Sequence, residues 1–305
     1  MRQLIALFLL VLSVVSCDDG DIITVELDFD DTLLTCGELV FYNIKEEPYE
    51  SLSLKITSPE TTLESLIEVD DNGELISTQE VFEINGSTNQ FNYRSYSGDP
   101  SNLFCNDVPP SNVLITQDMN STSGTAIIDI SLIEDDNDGI PAELEDINGN
   151  GDLTDDDTDG DGLPNYIDVD DDGDNVLTSA EIDSDNIDGD DNPLTNPLDT
   201  DGDGTPNHLD TDDDDDGVNT IDEENVTQDN NPANDFTDPA IADYLNPDVS
   251  SFVAATAYRA HTIRQEFTIE ITVDASFPTL NYDSLNFGTL EDSRLTATRL
   301  VTPEF

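Results

Sequence analysis

Between Glu134 and Glu224 the chain repeatedly sets acids at alternate positions, a spacing that could hold a hard divalent cation. In the clearest run Asp157, Asp159, Asp161 and Asp168 stand at positions 1, 3, 5 and 12 of a loop whose sixth residue is Gly162. Alternate side chains then supply oxygens, the glycine permits the sharp turn, the Leu163 carbonyl adds a ligand, and the last acid closes the shell. The string returns 42 residues on, from 157 to 199, as Asp199, Asp201, Asp203, Gly204, Thr205 and Asp210. A second loop follows each copy. Asp170, Asp172, Asp174, Val176 and Glu181 recur as Asp212, Asp214, Asp216, Val218 and Glu223. Its sixth position is Asn175 in one copy and Gly217 in the other, and both residues tolerate positive φ.

Two further runs precede the pair. Asp146, Asn148, Asn150 and Asp152 fit the spacing well and lead to Asp157, while Asp136 and Asp138, between Glu134 and Glu145, fit it loosely. Asp183, Asp185, Asp188 and Asp190 fall between the copies without a clean register. A duplicated pattern is stronger than a single acidic run, which by composition alone reads as a disordered linker.

The tandem acids, followed by Gly162-Leu163-Pro164-Asn165 and Gly204-Thr205-Pro206-Asn207, resemble the thrombospondin type 3 repeat family over somewhat under a third of the chain. The resemblance implies several bound Ca²⁺ ions as cofactors. It also implies a metal-organised stalk with little regular secondary structure. Asn175 at a glycine position, and Asp215 where the other copy has Gly173, depart from the pattern.

The 305 residues suggest about two domains. Lys and Arg number 8 against 71 Asp and Glu, a net charge of −63, so nothing could neutralise phosphates and nucleic acid is excluded as a partner. Met1 and Arg2, followed by the apolar run Leu4 to Val15, read as a signal peptide over residues 1–16, too short to span a bilayer. Ser16-Cys17 resembles a bacterial lipoprotein cleavage box, which would make Cys17 the lipidated first residue and the chain's link to the membrane. Residues 17–21, with Asp18, Asp19 and Asp21, form an acidic tether of the kind that sends lipoproteins to the outer face of the outer membrane. Cys36 and Cys105 remain as an even pair in an oxidising compartment, and a disulfide is expected between them.

Residues 22–133 carry about seven short β-type runs, among them Ile22–Phe29 and Gln90–Tyr96, separated by turn clusters, which predicts an antiparallel β-sandwich-like domain. Residues 134–224 form the repeat array and 225–249 a linker. Residues 250–305 form a short C-terminal β segment with two placements open: a separate hairpin, or a return to the N-terminal sheet, which is favoured because an exposed edge is a liability. The fold class expected is therefore mainly β: sandwich, irregular calcium-wrapped array, short β tail.

No Gly-x-Ser-x-Gly elbow, Walker loop or dinucleotide fingerprint occurs, and zinc-type ligands are nearly absent, so the chain is not expected to be an enzyme. These features predict an exported, surface-exposed, lipid-anchored calcium-binding spacer or adhesion module. The alternative is a ligand- or glycan-capture protein using Tyr42, Tyr49, Phe82, Phe91, Tyr93 and Tyr96 on the β domain, although core packing is the simpler use of those rings. Expected partners are calcium, the membrane through Cys17, and another surface protein or a glycan.

Overall fold

β-Branched and aromatic runs of the two chain ends meet in one hydrogen-bonded sheet. The computed structural model describes residues 27–37, 39–106, 108, 110–182, 189, 192–277, 280–281 and 284–305. The signal peptide, Cys17, the acidic tether, most of the expected strand Ile22–Phe29 and the acids at 183, 185, 188 and 190 lie outside them. The strands are β1 (Thr32–Thr35), β2 (Val40–Lys45), β3 (Glu50–Lys55), β4 (Gln79–Ile84), β5 (Gln90–Tyr96), β6 (Ile115–Ser121), β7 (Gly124–Asp135), β8 (His261–Phe277), β9 (Leu280–Asn281), β10 (Leu285–Leu290) and β11 (Thr296–Val301). Their hydrogen-bonded order is β4-β7-β8-β10-β1-β2-β3-β5-β6, with β9 and β11 also paired to β8. Among the described residues no helix is long and apolar enough to cross a membrane.

This arrangement corrects the expected fold class. The N-terminal strands are not a separate sandwich, and of the two placements left open for the C-terminal segment the strand order has the return to the sheet. β8 and β10 sit inside the order, between β7 and β1. Local patterning could not reveal this, because pairing partners more than a hundred residues apart leave no mark on sequence periodicity.

The chain divides into two compact units. The first holds residues up to Thr61, Val81–Ile127 and Ile271–Thr289. Its antiparallel ladder sets Phe41 opposite Leu54, Leu52 opposite Tyr93, and Tyr93 opposite Met119. Alternation sends Leu52 and Leu54 to one face, yet Ser51 and Ser53 on the other face are buried too, so both sides of β3 are covered. The polar groups there find partners: Ser51 Oγ lies 2.8 Å from the Tyr96 hydroxyl, and the Tyr93 hydroxyl donates to Glu50 Oε1 at 2.7 Å. Phe91 packs against Phe277 and Phe287, each at 5.4 Å between ring centroids. Cys36 and Cys105 are joined, so the expected disulfide is present.

The second unit holds Thr62–Glu80, Ile128–Glu270 and Leu290–Phe305. β11 pairs with the first turns of β8, from Val301 opposite His261 to Thr296 opposite Glu266. The long connection from 136 to 260 carries only short helical turns among its described residues, such as Asn165–Ile167, Thr178–Glu181, Asn207–Leu209 and Thr220–Asp222. Its composition explains this. Asp and Asn side chains accept hydrogen bonds from backbone N–H groups two residues on, which competes with helix and sheet. Asp161 Oδ1 accepts from the Leu163 N–H at 2.7 Å, and Asp203 Oδ1 accepts from the Thr205 N–H at 2.7 Å.

Two outcomes follow for the first unit. Gly288 has φ +127°, and a Cβ there would run into the Asp31 carbonyl oxygen, so Gly288→Ala should destabilise the protein by about 2 kcal/mol or more in urea melts. Opening the Cys36–Cys105 loop, which spans a sequence separation of 69, with a Cys36→Ala/Cys105→Ala variant should cost about 3–4 kcal/mol in the same assay.

Candidate functional site: the buried carboxylates

The duplicated sequence builds a duplicated local structure. Asn165 Oδ1 accepts from the Thr158 N–H at 3.0 Å, and Asn207 Oδ1 from the Thr200 N–H at 2.9 Å. The Asn165 N–H donates to the Asp156 carbonyl, and that of Asn207 to the Leu198 carbonyl. In each copy a threonine hydroxyl takes an acid's N–H, Thr178 from Asp171 and Thr220 from Asp213. The departures from the repeat are conformationally equivalent: Asn175 has φ +70° and Asp215 φ +52°. Gly173 has a specific reason, since the Asp159 carboxylate occupies the space a Cβ would need.

The expected site residues are dealt into different environments. Asp157, Asp159 and Asp161 converge half-buried; Asp199, Asp201 and Asp203 also converge but lie more open. Asp170, Asp172 and Asp174 converge fully buried. Asp174 and Glu181 share a second buried group with Asp213, and Asp136 shares one with Glu145 and Asp171. Asp138, Asp168, Asp214 and Glu223 are buried, while Asp210, Asp212 and Asp216 are partly so. The early run forms a hydrogen-bonded knot instead. Asp146 accepts from the Asn150 and Gly151 N–H groups, Asn148 and Asn150 donate to Asp155, and Asp152 caps the turn Leu153–Asp155. The Val176 side chain is core, packed with Ala242 and Tyr244; Leu163, Thr205 and Val218 are half-exposed.

Reasoning from alternate positions missed Asp171 and Asp213, which sit between the alternate acids, and omitted Glu145 from the site. The signal was there: 171 and 213 occupy the same place in the two copies. It also missed His261, whose Nδ1 lies 2.8 Å from Asp168 Oδ1 with both groups buried. Burial alone would lower that imidazole, but contact with Asp168 and the charges of Asp170 and Asp161 outweigh it, and the net direction is up.

Burial governs the acids. It pushes Asp171 up to about 11, Glu145 to about 8 and Glu223 to about 9, and neighbouring carboxylates add to each shift. Asp172, Asp174 and Glu181 are raised well above the ordinary range for the same reasons. Both carboxylate oxygens of Glu181, Asp213 and Glu223 are buried without a hydrogen-bond partner.

These observations correct the calcium expectation. Three of the converging acid groups are wholly buried, and two of them draw their acids from separate turns, so they are not laid out as surface calcium loops. The acids do not form the expected Ca²⁺ array. The capture alternative falls as well: Tyr42, Phe82, Phe91, Tyr93 and Tyr96 are core residues, and of the six rings proposed for recognition only Tyr49 is exposed. The cavity touching Asp171 and His208 holds about 40 Å³, room for water and no substrate.

Sheet and site together define a mainly β protein with an acid-rich connection folded into its second unit. Residues 135–191 match the family model BamM_C, described as BamM C-terminal. No curated protein and no solved structure matches the chain. The matched stretch covers the first copy of the repeat, and it replaces the thrombospondin type 3 resemblance and, with it, the spacer or adhesion role.

The buried acids give a pH dependence of definite sign. Their folded-state values exceed the unfolded value of about 4, so the folded state binds more protons between those limits and loses stability as pH rises through them. In EDTA-containing buffer the thermal midpoint should fall between about pH 5 and pH 8.5, and Asp171→Asn, which mimics the protonated acid, should flatten that slope. A midpoint that holds or climbs over this range would contradict the assignment.

Proposed function

We propose that the protein is a lipid-anchored structural module of the outer membrane, carrying its acidic body outward from the cell and contributing it to an envelope assembly. The observation that carries this reading is the fate of the connection from 136 to 260. It is held into the second unit by specific contacts. Arg259 donates from Nη1 to the Asn175 carbonyl at 3.0 Å and from its N–H to Asn175 Oδ1 at 2.9 Å. The Asn175 amide donates to the Ala257 carbonyl at 3.1 Å. Arg299 grips Glu134 through Nε at 2.7 Å and Nη2 at 2.9 Å, a two-pronged pairing that fixes orientation as well as charge.

Anchoring through Cys17 and exposure at the cell surface follow from the Ser16-Cys17 box and from Asp18, Asp19 and Asp21 behind it. Wild-type protein should incorporate labelled palmitate, fractionate with outer membranes and be shaved from intact cells by protease, whereas Cys17→Ser should do none of these. Wild-type protein that takes up no label would sink the anchor. Solubilised in mild detergent, the protein should migrate in native gels as a complex larger than itself. Migration as a lone chain would remove the assembly role.

A further inference from the structure

The second unit carries a concavity of about 610 Å³ that the assembly role leaves unused. One wall is the end of β7, which runs on to Asp135 after the Ile130 N–H has met the Thr78 carbonyl, beside the residue where β4 begins. Opposite it, the chain before β4 turns back through a bridge between Val69 and Leu75. The floor is apolar: Leu75, Leu132, Leu153 and Tyr166 are half-buried there, and Ile133 stands 65 % exposed at the lip. The rim is acidic. Burial, then the charges of Glu134, Glu74 and Asp152, push the Tyr166 phenol upward, so all three carboxylates bear on the same ring. Arg299 already neutralises Glu134, whereas Glu74 and Asp152 have no cation partner among the described residues.

We propose that this groove docks an extended peptide segment of a partner protein in which apolar side chains alternate with lysine or arginine. The wall is an extended strand, so a segment lying along residues 131–134 presents successive side chains to opposite sides, apolar ones to the floor and basic ones to the rim. Charge selects the occupant. A second copy of this chain carries −63 and only eight Lys and Arg, so it is repelled, whereas a basic segment is drawn in and held in register by Glu74 and Asp152.

The inference extends the assembly reading and is tested apart from it, with purified protein and no membrane. The probe is a capped eight-residue peptide alternating lysine and valine, followed by amide chemical shifts and fluorescence anisotropy at about 150 mM salt, where loose surface attraction is screened. Shifts should centre on residues 73–76, 131–134 and 151–154. Glu74→Lys and Ile133→Lys should each weaken binding at least tenfold, while Glu60→Lys, an exposed acid elsewhere, should not. A peptide of the same composition with its lysines in one block should bind more weakly. Equal losses in Glu60→Lys and Glu74→Lys, equal binding of the blocked peptide, or no binding at all would overturn the proposal. So would shifts at these residues that follow protein concentration without peptide, which would make a second copy the occupant. Circular dichroism and melting of each variant confirm that it is folded. A failed titration leaves the native-gel result standing, so the two readings fail separately.

Discussion

A chain with 71 acids and eight Lys and Arg has to fold almost without ion pairs, and that scarcity of positive charge organises the second unit. Besides the pairs of Arg264 with Glu266 and of Arg294 with Asp292 and Glu64, three cationic contacts there are specifically placed. His261 meets Asp168, Arg259 meets Asn175, and Arg299 meets Glu134. All three cationic side chains come from the C-terminal stretch, and all three partners lie at or beyond the end of β7. His261, the first residue of β8, therefore ties the acidic connection to a strand of the sheet at Asp168, while Arg259 ties the middle of the connection to the segment that leads into β8. Many of the other acids accept backbone N–H groups within the same few residues, while Glu181, Asp213 and Glu223 stand buried without a hydrogen-bond partner. Such local bonds set the path of the chain but confer little long-range order.

The duplication was plainly legible in the sequence, and it reappears as matched hydrogen bonds at Asn165 and Asn207, at Thr178 and Thr220. So were several strands: the run expected over Gln90–Tyr96 is β5 residue for residue. β1 and β11 went unread because four to six residues with mixed exposure carry no usable alternation. The cofactor was misread for a different reason. Acids at alternate positions are what an ion-binding loop needs, but the same spacing places each Oδ1 over the N–H two residues on, as Asp159 over Asp161 and Asp214 over Asp216. One sequence pattern serves both structures. Only burial separates them, and burial is set by what packs from elsewhere in the chain.

That packing also explains why the middle acids matter. Asp171 and Asp213 each stand between two acids of the alternating series, so a pattern read in steps of two passes over them. Folded, they point inward and join Glu145 and Glu181, drawn from other turns. An unpaired ionised carboxylate in such a place is costly, and a neutral one far less so. The buried centre therefore makes the unit's integrity depend on proton occupancy, a dependence that an exposed acidic linker of the same composition would not have.

The length of the connection sharpens the point. Loop-closure entropy grows only with the logarithm of length, so inserting the stretch from 136 to 260 between adjacent strands is tolerable for the sheet itself. Order inside the insertion is another matter, because its one small apolar cluster, around Val176, Ala242 and Tyr244, buries little surface. Directional contacts have to supply the rest. Asn175 is the clearest of them: at positive φ it turns both its side chain and its carbonyl toward residues 257–259, joining the middle of the insertion to the segment that leads into β8. A glycine would adopt the same backbone but lose two of those hydrogen bonds. The apparent defect in the repeat is thus the residue that ties the first copy to the chain's return.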